Sequence, residues 1–297
     1  MKLLVTGTSG QLAQSLLEAG LATGIDIVAI RRPQLDLAVP ASIRPAITSA
    51  RPDLVVSAAA YTAVDKAESE ADLAMRVNGA GAGMVAETCD KLGIPLIHLS
   101  TDYVFDGTKP SAYLEGDPTG PVSVYGRSKL AGEAAVQAAC ARHVIVRTAW
   151  VYSPFGNNFV KTMLRLAASK PEFGVVDDQI GCPTYAPHLA QAVLQIAAGV
   201  LQDNAGFAGG SGGPWGIYHA SGAGETTWCG FAREVFRLSG ERGGPVVKVN
   251  AITTADYPTP AKRPANSRLD CGKLAAVFNV RLPDWRHGAA ECVSRLV

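Results

Sequence analysis

Tyr125 and Lys129 stand four residues apart in the run Tyr125-Gly126-Arg127-Ser128-Lys129. The segment around them, from residue 123 to about residue 140, is rich in Ala and free of Pro, which predicts a helix. Residues four apart on a helix share a face, so a phenol and an ammonium are held side by side. A free tyrosine titrates near ~10 and is a poor proton donor at neutral pH. A neighbouring cation favours the phenolate and lowers that value. Bringing it to ~7 takes about 4 kcal/mol of differential stabilisation. A lysine, a cationic nicotinamide ring and partial exclusion of water supply that together. Tyr and Lys at this spacing also occur by chance on many surface helices, so the elements that would position them decide the matter.

The chain has 297 residues, 47% of them hydrophobic, enough to bury a large core as two lobes or one large α/β unit. Its net charge is +1 and it has no basic blocks, so neither nucleic acid nor an anionic membrane is indicated as a partner. Thirty-one glycines and few aromatics suit an α/β protein with many tight turns. Cys89, Cys140, Cys182, Cys229, Cys271 and Cys292 are scattered and form no CxxC. The opening residues are too short for a signal segment, so these read as reduced thiols in a cytoplasmic protein. No apolar run approaches a membrane span.

Residues 2–6 read as a strand buried on both faces. Gly7 and Gly10 follow, with Gln11 and Leu12 opening a helix and Ala13 small enough for close packing. Strand, glycine turn and helix form the entry unit of a dinucleotide fold, where backbone N–H groups meet a pyrophosphate. Residues 25–30 make the second strand and end in Arg31-Arg32. An acid at that point binds the ribose 2′-OH of NAD, whereas arginine suits the 2′-phosphate of NADP, so NADPH is the expected cofactor. Residues 53–57 form a third strand running into Ala58-Ala59-Ala60-Tyr61-Thr62, whose small side chains let a flat cofactor lie on the backbone. A helix is expected from about residue 70 to 92. Residues 94–99 form a fourth strand that delivers Thr101 and Asp102 to the carboxyl edge of the sheet, where such folds bind ligands. Thr101 is the hydroxyl best placed to share a carbonyl with Tyr125.

A fifth strand spans residues 144–147 and leads to Trp150. Beyond it the simple alternation ends. Helices are expected near 160–169, 187–198, 226–238 and 283–297, with a strand at 217–220. The glycine-rich stretch 205–216 reads as a mobile loop. Lys262 and Arg263, in a proline-rich segment, suit a phosphate or diphosphate. The expected architecture is an α/β, Rossmann-type doubly wound parallel sheet over residues 1–152. Residues 153–297 would form mainly a smaller α/β substrate-binding lobe, with some segments returning to the first.

Several runs together are specific. They are Ala58 through Glu68, Ser100-Thr101-Asp102-Tyr103-Val104-Phe105-Asp106-Gly107, Tyr125-Gly126-x-x-Lys129-Leu130-Ala131-Gly132-Glu133, Arg147 through Tyr152, Gly156-Asn157-Asn158-Phe159, Asp178-Gln179-x-Gly181-x-Pro183-Thr184 and Arg263-Pro264-x-Asn266-Ser267. With the glycine-rich start, they resemble the dTDP-4-dehydrorhamnose reductases, members of the extended short-chain dehydrogenase/reductase group. The likeness spans nearly the whole chain. It implies NADPH-dependent reduction of a dTDP-4-keto-6-deoxysugar, the last step of dTDP-L-rhamnose synthesis, with NADH as the alternative cofactor. It implies Tyr125 as proton donor, Lys129 as its partner and anchor of the nicotinamide ribose, and Thr101 as the tuning hydroxyl. Gly10, Gln11 and Leu12 would meet the pyrophosphate, and Asp36, Leu37, Ala59, Ala60 and Thr62 would line the rest of the cofactor. Asp102, Trp150 and Asn158, with Arg263, would meet the substrate. Arg31 stands where an acid often sits, which favours NADPH over dual use. Some family members are described as magnesium-dependent dimers. No acid cluster here requires a metal, so no metal ligand is assigned, and a homodimer is left open.

Another nucleotide-4-ketosugar reductase of the same fold would differ only in stereochemistry or leaving nucleotide, and two further rivals stand beside this reading. An epimerase or dehydratase of the same fold would recycle a tightly held NAD, and a dehydratase resembling this chain would carry a second acid where Tyr103 stands. A non-catalytic cofactor-binding subunit would have no need of Thr101, Tyr125 and Lys129 together.

Overall fold

Successive residues of a strand face opposite ways, and this chain fills both directions with apolar side chains. In the computed structural model, which describes residues 1–202 and 213–297, five strands and a sixth from the second half form one parallel sheet. The strands are β1 (Lys2–Thr6), β2 (Asp26–Ile30), β3 (Leu54–Ser57), β4 (Leu96–Thr101), β5 (His143–Thr148) and Gly216–His219. Their spatial order is Gly216–His219, β5, β4, β3, β1, β2. Leu3, Val5, Leu54, Val56, Ile97, Leu99, Val144 and Val146 pack on one side with Leu12 and Leu16 of the Gln11–Thr23 helix and Leu189, Val193 and Ile196 of the Ala186–Leu201 helix. Leu4, Val55, Leu96 and Ile145 pack on the other with Ile43, Ile47, Val85 and Val136. Each such side chain contributes roughly 1.5–3 kcal/mol when fully buried, so burial on both faces holds the sheet between two helical layers.

This is the doubly wound arrangement expected from the sequence. The order 2-1-3-4-5 reverses direction between β1 and β3, and ligands of such sheets bind outside the carboxyl ends of the strands at that reversal. Thr6, the last residue of β1, secures the point: its hydroxyl accepts the N–H groups of Ala58 and Ala59 at 3.0 and 2.9 Å. Within the second half, Ala186–Leu201 and Gly216–His219 belong with the large sheet. A separate core gathers Tyr152, Val160, Phe231, Phe236 and Trp285 around the parallel pair Glu172–Val176 and Lys248–Ile252. Of the stretch 205–216 expected to move, residues 205–212 lie outside the described residues. Among the described residues no helix is long and apolar enough to cross a membrane.

Three elements were not legible from pattern alone. The Pro40–Ala50 helix is interrupted in sequence by Pro45, and the Glu172–Val176 and Lys248–Ile252 strands pair across more than seventy residues. The helix expected from 70 to 92 is also not uniform. Ala71–Met75 and Ala82–Leu92 are α-helical, but Arg76–Gly81 between them is a π-helix. The widened turn places the Asn78 carbonyl where a Cβ on Gly132 would sit 2.1 Å away. π-turns of this kind concentrate at functional sites. Here the turn presses against the Val124–Ala139 helix. A methyl at Gly132 forces that helix outward, so Gly132→Ala is expected to cost roughly 1–3 kcal/mol or more. Urea unfolding of the two proteins checks this; an unchanged midpoint would show that the contact yields freely.

Candidate active site

Ser123 sets the position of the helix that matters most. Its hydroxyl accepts the Gly126 N–H at 3.1 Å, an N-cap that starts Val124–Ala139 where it does. The Val124 N–H is taken by Glu68 Oε1 at 2.8 Å. Gly126 then passes close beneath β4's extension, since a Cβ there would lie 2.2 Å from the Tyr103 carbonyl oxygen. Asn78, buried on the π-turn, bridges the same helix to the loop after β3. It donates to Ser128 Oγ at 2.9 Å and to the Tyr61 carbonyl at 3.0 Å, and accepts the Tyr61 N–H at 2.8 Å. Tyr125 and Lys129 are thereby aimed at the carboxyl end of β4.

Two adjoining cavities open there. The first, about 760 Å³, is lined by Gly7, Gly10, Arg31, Arg32, Asp36, Leu37, Ala59, Ala60 and Thr62. The second, about 570 Å³, is lined by Gly10, Gln11, Leu12, Ala60, Thr62, Thr101, Asp102, Tyr125, Lys129 and Trp150. Shared residues at Gly10, Ala60 and Thr62 make them one groove across the reversal point. Gly7 has φ +87°, a conformation that favours glycine. Gly10 has ordinary backbone angles, and a Cβ built on it meets nothing within 4 Å. No protein contact demands a glycine at that position; its bare Cα widens the groove beside the first turn of a helix, as a pyrophosphate requires. The donor set fits a dinucleotide.

Two of the residues expected to meet the substrate have partners within the protein. Asn158 caps the Phe159–Ala167 helix, accepting the Lys161 N–H at 3.2 Å, and its amide donates to Ser153 O, Gln11 Oε1 and Phe155 O. These bonds hold the Asn158 side chain to its own loop and to the glycine turn. Arg263 is also not a free guanidinium: it forms a two-pronged pair with Asp65 at 3.0 and 2.8 Å. It borders a third cavity, of about 490 Å³, in the second lobe. Gln11 likewise spends its side chain on Val151, Ser153 and Asn158, tying the glycine turn to the strand after Trp150.

The electrostatics also differ from the expectation that Lys129 acidifies the phenol. Burial pushes the Tyr125 hydroxyl up from its ordinary range, the Asp102 charge adds to this, and only the Thr101 hydroxyl opposes it. Although the Tyr125 side chain is partly exposed, its oxygen is surrounded by protein. Lys129 is itself brought down to about 8 by burial, against the pull of Glu133. Its Nζ donates one of its three N–H groups to the Leu99 carbonyl at 2.6 Å. The helix thus puts the two groups on one face, but dehydration dominates in the ligand-free chain.

Asp102 lines the cavity as the sequence led one to expect, and Trp228 joins it without any sequence signal. Asp102 is 2% exposed, accepts the Thr101 hydroxyl at 2.8 Å, and keeps Oδ2 without a partner inside the protein. Burial raises its carboxyl to about 6, against hydrogen bonds from Thr101 and Ser267. Trp150, held at φ +49°, stacks on Trp228 with centroids 3.5 Å apart and planes within 7°. Trp228 also lines both the catalytic and the second-lobe cavities. No pattern in the sequence marks it, since its partner is seventy-eight residues away. Among the described residues no three His, Cys, Asp or Glu side chains cluster to hold a metal ion.

Because Asp102 titrates higher in the fold than its ordinary 3.8, the folded state favours its protonated form. Its ionisation therefore lowers stability as pH rises from about 4 through about 6, and that loss persists above. Asp102→Asn, which never ionises, is expected to gain about 1–3 kcal/mol near neutral pH. The gain should fade below about pH 6; guanidinium unfolding at several pH values measures it, and a gain independent of pH would reject the explanation.

The RmlD substrate binding domain family model matches residues 1–297. A dTDP-4-dehydrorhamnose reductase of Sinorhizobium fredii is 50% identical over 100% of this chain and 98% of its own. The crystal structure of a dTDP-4-dehydrorhamnose reductase from Clostridium acetobutylicum has a TM-score of 0.91 at 35% identity, covering 100% of this chain and 99% of the other. That of the Bacillus anthracis dTDP-4-dehydrorhamnose reductase in complex with NADP has a TM-score of 0.89 at 34% identity, covering 99% and 100%. A family model matched along the whole chain and relatives of this identity leave one conclusion: the chain belongs to the RmlD substrate binding domain family.

Proposed function

We propose that this chain reduces the 4-keto group of dTDP-4-dehydro-L-rhamnose, with NADPH as co-substrate, to give dTDP-L-rhamnose. The observation that carries the reading is the convergence of Thr101, Tyr125 and Lys129 on one cavity that continues into a dinucleotide-sized groove. The matches over the full chain to dTDP-4-dehydrorhamnose reductases support the substrate. NADP in the related Bacillus anthracis structure supports the cofactor, as do the exposed Arg31 and Arg32 at the rim of the larger cavity. Residues 1–152, with the returning helix and strand, would hold the cofactor; the remainder of 153–297 would shape the substrate side.

The reduced nicotinamide, when bound, supplies the hydride. Gly7 and Gly10 would leave room for its pyrophosphate, and Arg31 and Arg32 would hold the 2′-phosphate. As negative charge grows on the sugar carbonyl oxygen, Tyr125 donates its proton there and Thr101 hydrogen-bonds the same oxygen. For that the Thr101 hydroxyl turns away from Asp102, which accepts it in the free chain. Lys129 stabilises the phenolate that remains, and solvent restores the proton. The high resting position of the Tyr125 phenol means that it arrives at the reaction protonated, as a donor must.

Tyr125→Phe removes the proton donor and little volume. Turnover of NADPH with the dTDP-ketosugar is expected to fall about 10²–10⁴-fold, with cofactor affinity nearly unchanged. Near-parental turnover would take Tyr125 out of the chemistry. Replacing Arg31 and Arg32 together by alanine should raise the KM for NADPH about 10–100-fold and leave that for NADH nearly unaltered, because hydrogen bonds to a charged phosphate are worth about 1.5–3 kcal/mol. Equal effects on the two cofactors would contradict the assignment of that phosphate. Product stereochemistry by NMR settles the sugar.

A further inference from the structure

The helix that carries Tyr125 and Lys129 carries another ionisable residue at the same spacing, Glu133. It is 1% exposed. Its carboxylate accepts Arg147 Nε and Nη2 at 2.8 and 2.6 Å, and the Ser100 hydroxyl at 2.5 Å. Ser100 immediately precedes Thr101 on β4, and Arg147 is its register partner on β5, three residues before Trp150. One carboxylate therefore joins the three elements that deliver Tyr125, Thr101 and Trp150.

We propose that Glu133 is a positioning residue for the reduction, docking the catalytic helix onto the ends of β4 and β5 and keeping Lys129 cationic inside a dry site. The inference rests on the reading of Tyr125 and Lys129 given above. Replacing a buried ion pair with apolar groups often costs no stability, so geometry and local field are what such a pair supplies here. The charged and titratable groups around Lys129 are Tyr125 and Glu133 on its own helix, His98 from β4, Asp102 from the turn that follows β4, and Arg147 from β5. His98 is fully buried, neither ring nitrogen has a partner within the protein, and burial, with Lys129 and His143 beside it, holds it well below its ordinary range. It adds no charge. Asp102 is turned to Thr101. Glu133 lies one helical turn beyond Lys129, and its charge opposes the burial that draws the ammonium down to about 8. A neutral Lys129 would leave the phenolate of Tyr125 without a partner.

Glu133→Gln keeps the shape and an acceptor but loses the charge. Lys129 then gives up its proton at lower pH, so the alkaline limb of kcat/KM should move down by about one pH unit and activity at pH 8 should fall about fivefold. Glu133→Asp keeps the charge and should keep the limb near its parental place, whatever it does to kcat. If Glu133→Gln does not accumulate folded, Glu133→Gln with Arg147→Gln removes both charges with amides of similar size; the same downward movement is expected, smaller in extent. A folded Glu133→Gln or double variant whose alkaline limb matches the parent overturns the proposal, as does an aspartate variant that moves as far as the glutamine one. NADPH binding followed by its fluorescence across pH gives a reading that needs no turnover. If the parent binds NADPH and the variant's alkaline loss of binding moves down while no ketosugar is reduced, the positioning role stands and the substrate assignment falls.

Discussion

The close approach of two helices at bare backbone is the constraint on which the site depends. Gly126 runs under the Tyr103 carbonyl and Gly132 under that of Asn78, each with no room for a Cβ. These contacts fix the height of Val124–Ala139 over the sheet more tightly than side-chain packing does, because backbone atoms cannot rotate aside. The π-turn at Arg76–Gly81 follows from the same demand: widening that turn carries the Asn78 carbonyl to Gly132 and its side chain to Ser128 and Tyr61. Phenol, amine and the loop that lines the groove are thus registered against one another before any ligand arrives.

Much of this was legible in the residues. The continuous apolar strands, the glycine turn after β1, the arginines after β2 and the Tyr–Lys spacing are local patterns, and each led to the right element. What stayed hidden depends on partners far away in sequence. Arg263 reads as an unpaired cation until Asp65 is found beside it, and Asn158 as an open amide until it is found donating to neighbouring carbonyls. The shift of the phenol had the same cause. Spacing revealed the ammonium next to it, but only the folded chain shows how thoroughly both are removed from water. Glu133 lay in plain view as the next step of the same four-residue series, but its meaning came from Arg147 and Ser100.

The buried polar groups around the site form two separate sets. Thr101, Asp102 and Ser267 hold a carboxyl that resists ionisation, whereas Ser100, Glu133 and Arg147 hold a fully paired charge. They meet only through the peptide between Ser100 and Thr101. The paired set braces the structure, while the strained one faces the cavity. Proteins commonly store unfavourable solvation where ligands bind, since a partner that satisfies it gains the difference.

The flush contact between Trp150 and Trp228 has a consequence outside catalysis. Two indoles overlapping at 3.5 Å, nearly coplanar, share their excited states and do not absorb as independent chromophores. Because both rings border the cavity beside Tyr125, anything that pries them apart alters the near-ultraviolet dichroism of the whole molecule. Separation of these two rings would thus be read without any dye or label.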